Sequence, residues 1–504
     1  MDTGKMGYEK IGAEISVEAD HFSGERWHLL RRALLSVTRH EFNSFSDLND
    51  AAVLEQLLSP DSYTPKLPLK DYNSVNCQFP DSEIGYGETW VNDWNPDSEV
   101  NQKRLQSLSR WFIGSLFTQH KSLYPRLLLF WHQYFPIHLP GLASAREGFD
   151  YFEILRKNCQ GSFAELVSSV LLHSPFLNTL RNGGKMKQQD SHHFARQVLS
   201  QYLFGADCRT LVSREDLSRF SHLLHQWNTS EGKRTDSQEI ELKTWIHQFC
   251  GMEKSVENLS QRLFREFIYH KTENALAEKT INGLMNKWYA SEGNISMLIK
   301  HLFQSPAFQD PGYRGVLVRS PIEFLFTAIR QLHLVEPDEN TRGIKYYDLW
   351  NWIAQKLHSV EYTPGYPPLN TGWPSFLVAP YHQHWSTPAM QYDRSATMRE
   401  LFQEGICFNM DIRKPSWEKE LDRHLPESFE EFLFQISTEV LSRPLEKSLI
   451  PDLSRHLMNR HQLDNRKWKL LIQKDPSGDY LEIQKRLLTD TMNFLFSLPE
   501  YQLH

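Results

Sequence analysis

The chain has 504 residues, and 40% of them are hydrophobic, so it is long enough to bury a large core. Its 55 basic and 62 acidic residues are well mixed and give a formal net charge of −7, without the basic stripe typical of duplex-binding proteins. Nucleic acid is therefore a poor candidate partner. The five cysteines are dispersed and form no CxxC pair, which argues against a disulfide framework and a zinc knuckle.

The first stretch, MDTGKMGYEKIGAEISVEAD, is polar and is predicted to be an N-terminal tail (residues 1–20). It lacks the apolar centre of a secretory signal. No apolar run in the chain is long enough to span a bilayer, so no transmembrane segment is predicted. The chain as given is therefore expected to be cytoplasmic.

Helical periodicity dominates from residue 27 onward. In RWHLLRRALLSV, Trp27, Leu30 and Leu34 recur at helical spacing, and segments near 111–135, 162–176, 255–270, 295–308, 320–334 and 348–360 behave alike. No regularly spaced alternating strands are apparent. The sequence predicts a mainly α-helical fold with one large domain. Residues 21–400 would form its core and 401–504 a C-terminal helical part of the same domain.

Two stretches, 60–100 and 359–394, do not show the helical pattern. Both combine proline and glycine with tyrosine and tryptophan. Disordered segments are poor in aromatic residues, so we expect long ordered loops packed over the helices. Aromatic faces bind ligands but also simply pack. The first place to seek a ligand is the cleft between the second loop and the helix that carries Trp131 and His132.

Eight short elements carry a family resemblance. They are WHLLRRALLSVT (27–38), LFWHQYF (129–135), GSFAELVSSVLLHSPFL (161–177), SHHFARQVLSQYLFG (191–205), DLSRFSHLLHQW (216–227), RSPIEF (319–324), PPLNTGW (367–373) and SLPEY (497–501). In this order they resemble the motifs of a large bacterial helical family known as domain of unknown function 1800. The resemblance spans nearly the whole chain.

The resemblance implies a single helical unit whose relatives are often exported and often encoded beside a sulfatase-like or phosphatase-like protein. Such a co-encoded protein is the partner it implies. The chain departs from the family pattern where Ser191, His192 and His193 replace an Asn-Glu-Asn run and where Gln197 and Gln201 replace acidic residues. These departures slightly favour a non-catalytic accessory protein.

The alternative is a divergent enzyme with a histidine-rich site that acts on a small molecule in a biosynthetic pathway, with a divalent or transition metal left open as cofactor. Its predicted catalytic residues are His132, His192, His193 and Arg196. His192 and His193 are adjacent and point roughly 100° apart on a helix, so they cannot both chelate one ion. They either act as neutral bases or ligands or, as we favour, are polar residues of a first helical turn.

The predicted ligand-binding residues are Trp131, Arg31, Trp373 and Tyr381. Arg31 and Arg32 stand among apolar residues, and either, if buried, is expected to pair with a carboxylate. That pairing would be structural or would recognise an anion. His132 follows a strongly apolar run, which is more typical of a buried hydrogen-bonded histidine, although the resemblance raises its standing as a site residue.

Overall fold

Helices make up most of the chain, as the periodicity predicts. The structure is a computed structural model that describes residues 24–59, 66–73, 81, 83–118, 121–183, 191–229, 234–335, 343–369, 371–408, 411–416, 425–473 and 479–504. The predicted tail, residues 1–20, lies outside these ranges. No helix in the described ranges is long and apolar enough to cross a membrane.

The first half of the chain contributes the longest run of helices. They are α1 (residues 24–33), α2 (Arg39–Asn43), α3 (Asp50–Leu58), α4 (Ser98–Thr118), α5 (Tyr124–Tyr134), α6 (Ala145–Asn158), α7 (Phe163–Leu171), α8 (Ser174–Gly183), α9 (Ser191–Val198), α10 (Arg214–Thr229) and α11 (Asp236–Cys250). A π-helical turn, Leu199–Phe204, extends α9.

The second half continues in the same way. Its helices are α12 (Glu253–Phe267), α13 (Ala275–Ala290), α14 (Ile295–Phe303), α15 (Pro306–Gln309), α16 (Pro321–Gln331), α17 (Tyr347–Ser359), α18 (Pro374–Leu377), α19 (Pro388–Gln403), α20 (Phe429–Val440), α21 (Ile450–Arg460), α22 (Asn465–Gln473) and α23 (Asp479–Ser497). The described residues also contain two short antiparallel strands, β1 (Ile406–Phe408) and β2 (Asp411–Arg413), which the sequence did not predict. Strands of three residues are too short to show a recognisable alternating pattern.

Local sequence signals set the helix starts that matter for the site. At α16, Ser320 and Glu323 form a capping box, in which each side chain accepts a hydrogen bond from the other residue's backbone N–H. Pro321 occupies the first helical position, where its missing N–H costs no hydrogen bond. Pro125 stands in the first turn of α5 in the same way.

One hydrophobic cluster extends from Trp27 to Tyr501 and holds the helices together. Within it α4 packs against α5, α6 and α17, while α12 packs against α11 and α13. Near the C-terminus α19 contacts α23. The helices after residue 400 therefore share a core with those before it.

The predicted second loop is ordered and packed. Its aromatic residues Tyr362, Trp373 and Trp385 are buried. The loop ends earlier than expected, because Thr387 caps α19 and Pro388 begins it. Gly365 fixes the loop to the core, since its carbonyl accepts from the N–H of Leu139 at 2.9 Å and its own N–H donates to Nε2 of His132 at 3.0 Å.

Gly365→Ala is expected to lower the free energy of unfolding by about 3 kcal/mol, through left-handed strain and overpacking. Gly365 has φ of +80°, and a Cβ there would lie 2.3 Å from Cδ1 of Leu139. Urea unfolding followed by circular dichroism measures the change. Gly161→Ala is the control, because the nearest atom to its added Cβ is 3.9 Å away. Equal stability of both variants would contradict this account of the loop.

Candidate functional site

A cavity lies where the sequence predicts a cleft, between α5 and the aromatic loop. Besides apolar groups, it is lined by Arg126 and Gln133 of α5, Arg262, Arg265 and Glu266 of α12, Ser320, Glu323, Ser375, Tyr381, His382 and His504. We call it the arginine cavity. Its free volume for solvent is about 40 Å³, enough for roughly three water molecules. That a ligand binds in this cleft stays a prediction.

Helical spacing aligns the charged residues of the cavity. Arg126, Leu129 and Gln133 stand three and four residues apart on α5, so they share one face of that helix. Arg262, Arg265 and Glu266 share one face of α12 for the same reason. The face of α5 that meets the cavity is therefore not the face that carries Trp131 and His132.

The floor of the cavity is a buried ion-pair network around Arg126. Its side chain is 3% exposed and pairs with Glu323 through Nη1 and with Glu266 through Nη2, at 3.2 Å. Glu323 also accepts from the N–H of Ser320 at 2.8 Å and lies 3.2 Å from Nδ1 of His504. These contacts join α5, α12 and α16 at one point.

The two histidines that line the cavity are neutral near pH 7. Burial, followed by the charges of Arg32, Arg126 and Arg319, holds the pKa of His504 well below its usual value. Burial, with smaller effects of His270 and Arg32, lowers the pKa of His382 to about 3. The histidines therefore add no charge to the cavity.

Hydrogen bonds fix the ring of His382. The backbone N–H of Val318 donates to its Nδ1 at 3.1 Å, so the proton of the neutral ring is assigned to Nε2. Nε2 then donates to Nδ1 of His270 at 3.0 Å. Both ring nitrogens are occupied, which makes His382 a residue that positions the cavity wall.

The rim of the cavity is made of arginines that lie over aromatic rings. The guanidinium carbon of Arg262 lies 4.5 Å from the ring centre of Tyr134 and 5.5 Å from that of Phe376. That of Arg265 lies 4.9 Å from the ring centre of Tyr381. These cation–π contacts hold both guanidinium groups in place at the opening.

Several buried polar atoms around the cavity have no hydrogen-bond partner among the described residues. They are Nε of Arg126, Nη1 of Arg262, Nε of Arg265 and Oε1 of Gln133. A buried polar group without a partner costs free energy, and a charged one costs more. The side chains that line the cavity include three arginines and two glutamates, so within this set positive charges exceed negative charges by one.

Further buried arginines stand behind the cavity. Arg31 donates to the carbonyl oxygens of Thr438 and Glu439 at 2.5 and 3.1 Å, and Arg32 to that of Tyr313 at 2.9 Å. The hydrogen bonds of both side chains therefore go to backbone carbonyls, while the carboxylates of Glu439 and Glu266 act on Arg31 and Arg32 respectively through space. Burial is the main cause that lowers the pKa of both to about 9, so both stay charged at pH 7.

His132, a predicted catalytic residue, lies in the core beside the cavity. Its Nδ1 is 3.1 Å from the hydroxyl of Tyr151, and its Nε2 accepts from the N–H of Gly365. The second bond assigns the ring proton to Nδ1. Burial lowers the pKa of His132 to about 3, so the ring is neutral. These contacts give it a structural function in pinning the loop, and its catalytic role stays a prediction.

The predicted ligand-binding residues are found in different places. Trp131 is buried, and its Nε1 donates to the carbonyl of Cys159 at 2.9 Å. Trp373 is buried with its ring centre 5.3 Å from that of His132. Arg31 lines a small neighbouring cavity together with Arg319, Glu323 and His504. Tyr381 alone of the predicted residues lines the arginine cavity.

The remaining predicted catalytic residues stand on α9. His192 is half-buried and His193 is exposed. Arg196 is half-buried, and its Nε donates to the backbone carbonyl of His192 at 3.2 Å. None of the three lines the arginine cavity as the described residues define it.

Most cavity residues were not predicted from the sequence, yet signals for some were present. RLFRE at 262–266 places two arginines and a glutamate on one helical face. Ser320 and Glu323 fall in RSPIEF, one of the elements that carry the family resemblance. Such signals identify a charged face but not the element it packs against.

Metal ligands do not cluster in the part of the chain that the structure describes. No group of three or more His, Cys, Asp or Glu side chains there could hold a metal ion.

The fold and the cavity define a class, a mainly helical protein with a buried arginine-rich cavity. The model of a family described as "Protein of unknown function (DUF1800)" matches residues 28–231 and 225–503. The chain belongs to this family, as its motifs indicated. Searches of curated proteins and of solved structures found no match.

His132 is expected to make stability depend on pH. Below pH 6.5 or so the unfolded chain binds a proton at this histidine, whereas the folded ring stays neutral down to a pH of about 3. The free energy of unfolding therefore falls as the pH drops from about 6.5, by up to ~1.4 kcal/mol per pH unit for this residue. Urea unfolding at pH 7.5, 6.0 and 5.0 measures it.

His132→Leu should show a smaller decline with falling pH, because that proton uptake is removed. At pH 7.5 this variant should be less stable by about 2 kcal/mol, since Gly365 and Tyr151 lose a partner. His222→Leu, at an exposed position of α10, is the control and should behave as the unaltered protein. An unchanged pH dependence in His132→Leu would refute the assignment.

Proposed function

We propose that the protein binds a small anionic compound in the arginine cavity. The observation that carries the proposal is the set of buried guanidinium N–H groups of Arg126, Arg262 and Arg265 that lack a partner within the described chain. Their residues line one cavity, so a single ligand can reach all three side chains.

The physical reason is the free energy of burying charge. A guanidinium taken out of water needs hydrogen-bond acceptors and a countercharge. The oxygens of a carboxylate or phosphate supply both, and charge-assisted bonds of this kind are among the strong ones in proteins. A chloride ion would balance the charge but offers no planar pair of oxygens to the guanidinium.

This function shares only the small-molecule ligand with the alternative predicted from the sequence, whose enzymatic reaction and metal stay predictions. In place of His132, His192 and His193, the histidines at the cavity are His382 and His504. The accessory role beside a co-encoded enzyme, the export of relatives and the compartment of this chain stay predictions. A ligand-binding protein is compatible with that accessory role.

Acetate and inorganic phosphate are expected to bind the folded protein and to raise its free energy of unfolding. A ligand at ten times its Kd should add about 1.4 kcal/mol. Isothermal titration calorimetry and thermal unfolding measure binding, with sodium chloride at equal ionic strength as the reference. Arg265→Gln should weaken binding by about tenfold, because a charge-assisted hydrogen bond is lost.

Arg455→Gln is the matched control. Arg455 stands on α21 with a side chain that is 69% exposed, far from any cavity-lining position in the sequence. Its replacement should leave anion binding unchanged. Absence of binding, or equal affinities for Arg265→Gln and the unaltered protein, would rule out the proposal.

A further inference from the structure

The arginine cavity contains unpartnered groups of two opposite kinds. Nη1 of Arg262 and Nε of Arg265 are donors that lack an acceptor among the described residues. Oε1 of Gln133 is an acceptor that lacks a donor there, and the Gln133 residue is only 3% exposed. A ligand that satisfies the whole cavity must therefore both accept and donate hydrogen bonds.

Glu266 adds a second acceptor beside the rim arginines. Its side chain is 18% exposed and lines the cavity. In the described part of the chain its carboxylate forms one ion pair, with Nη2 of Arg126 at 3.2 Å, and the charge of Arg32 acts on it through space. A carboxylate is an acceptor only, so its oxygens are available to a donor on whatever occupies the cavity.

A simple oxyanion would satisfy only half of this arrangement. It would pair with Arg262 and Arg265 but would bring negative charge to Glu266 and leave Gln133 without a donor. We propose that the ligand of the arginine cavity is a small hydroxylated oxyanion, whose hydroxyl group donates to Gln133 or Glu266 while its charged oxygens accept from Arg262 and Arg265. This inference rests on the proposed function and specifies its ligand class.

The charges favour a hydroxyl group over an ammonium group as the donor. Arg126, Arg262 and Arg265 exceed Glu266 and Glu323 by one positive charge, and buried Arg32 stands behind them. An ammonium group would be repelled by these cations, and a zwitterion would leave the excess unbalanced. A hydroxyl group donates to an acceptor and can also accept from a guanidinium.

The size of the cavity limits the part of the ligand that enters. A free volume of about 40 Å³, enough for roughly three water molecules, limits the enclosed part of the ligand to a few non-hydrogen atoms. Arg262, Arg265, Tyr381 and Phe376 are half-buried and form the open side. Any remaining part of the ligand would extend past this rim.

Acetate, glycolate and glycine test the inference, because they differ only in carrying no donor, a hydroxyl or an ammonium group. Isothermal titration calorimetry on the full chain should give glycolate an affinity about tenfold above that of acetate, as one buried hydrogen bond is added. Glycine should bind no better than acetate. Acetate binding as well as glycolate, or glycine binding best, overturns the inference and leaves the proposed function intact.

Two variants test which groups recognise the hydroxyl. Gln133→Leu should lower the affinity for glycolate by about tenfold more than the affinity for acetate, because only glycolate has a hydroxyl group to donate to Gln133. Glu266→Gln should raise the affinity for acetate by about threefold, because one negative charge is removed. The preference for glycolate over acetate should therefore decrease. Glu257→Gln, on the same helix but outside the cavity lining, should change neither. Circular dichroism confirms that each variant is folded.

A second pair of ligands shows whether the oxyanion is a phosphate or a carboxylate. Glycerol 1-phosphate is compared with propyl phosphate in the same titration. A hydroxyl preference that appears only among the phosphates assigns the ligand to hydroxylated phosphate esters, and one that appears only among the carboxylates assigns it to hydroxy acids. No hydroxyl preference in either series, or preferences unchanged in both Gln133→Leu and Glu266→Gln, overturns the inference. No binding of any anion overturns the proposed function as well.

Discussion

Arg126 is the residue on which the geometry of the cavity depends. A guanidinium buried to 3% exposure is tolerated because two carboxylates, Glu266 and Glu323, hold it from α12 and α16. Removal of one partner from such a buried network typically costs about 3–5 kcal/mol. The ion pairs that stabilise the junction of α5, α12 and α16 therefore also fix the positions of the cavity walls.

The histidines at the cavity are neutral, so the positive potential of this region comes from its arginines. His382 and His504 are held neutral by burial and by the neighbouring arginines, so their rings neither compete with an anion nor add charge. The positive potential comes from arginines whose guanidinium groups stay protonated near neutral pH. A site of this composition keeps its affinity for an anion across a wide pH range, unlike one built on protonated histidines.

The sequence predicted the helices and the place of the cleft, because periodicity and aromatic content act locally. It did not predict the cavity residues, because their significance depends on contacts distant in the chain. RLFRE shows a charged helical face, yet nothing local reveals that this face meets Arg126 of α5. His132 stood out through its motif, but its partner, the N–H of Gly365, lies 233 residues away. Contacts between distant parts of the chain therefore determine that Arg126 lines the cavity and that His132 lies in the core.

The π-helical turn that follows α9 contacts a residue of the arginine cavity. The carbonyl of Gln201, in the π-helical turn after α9, accepts from Nη2 of Arg262 at 2.8 Å, and its side-chain amide donates to the carbonyl of Thr371 at 2.9 Å. One residue thus joins a rim arginine to the aromatic loop. A glutamate at 201 could not donate to Thr371, because a carboxylate is an acceptor only. The amide of Gln201 therefore supplies a donor to this link that a carboxylate at the same position would lack.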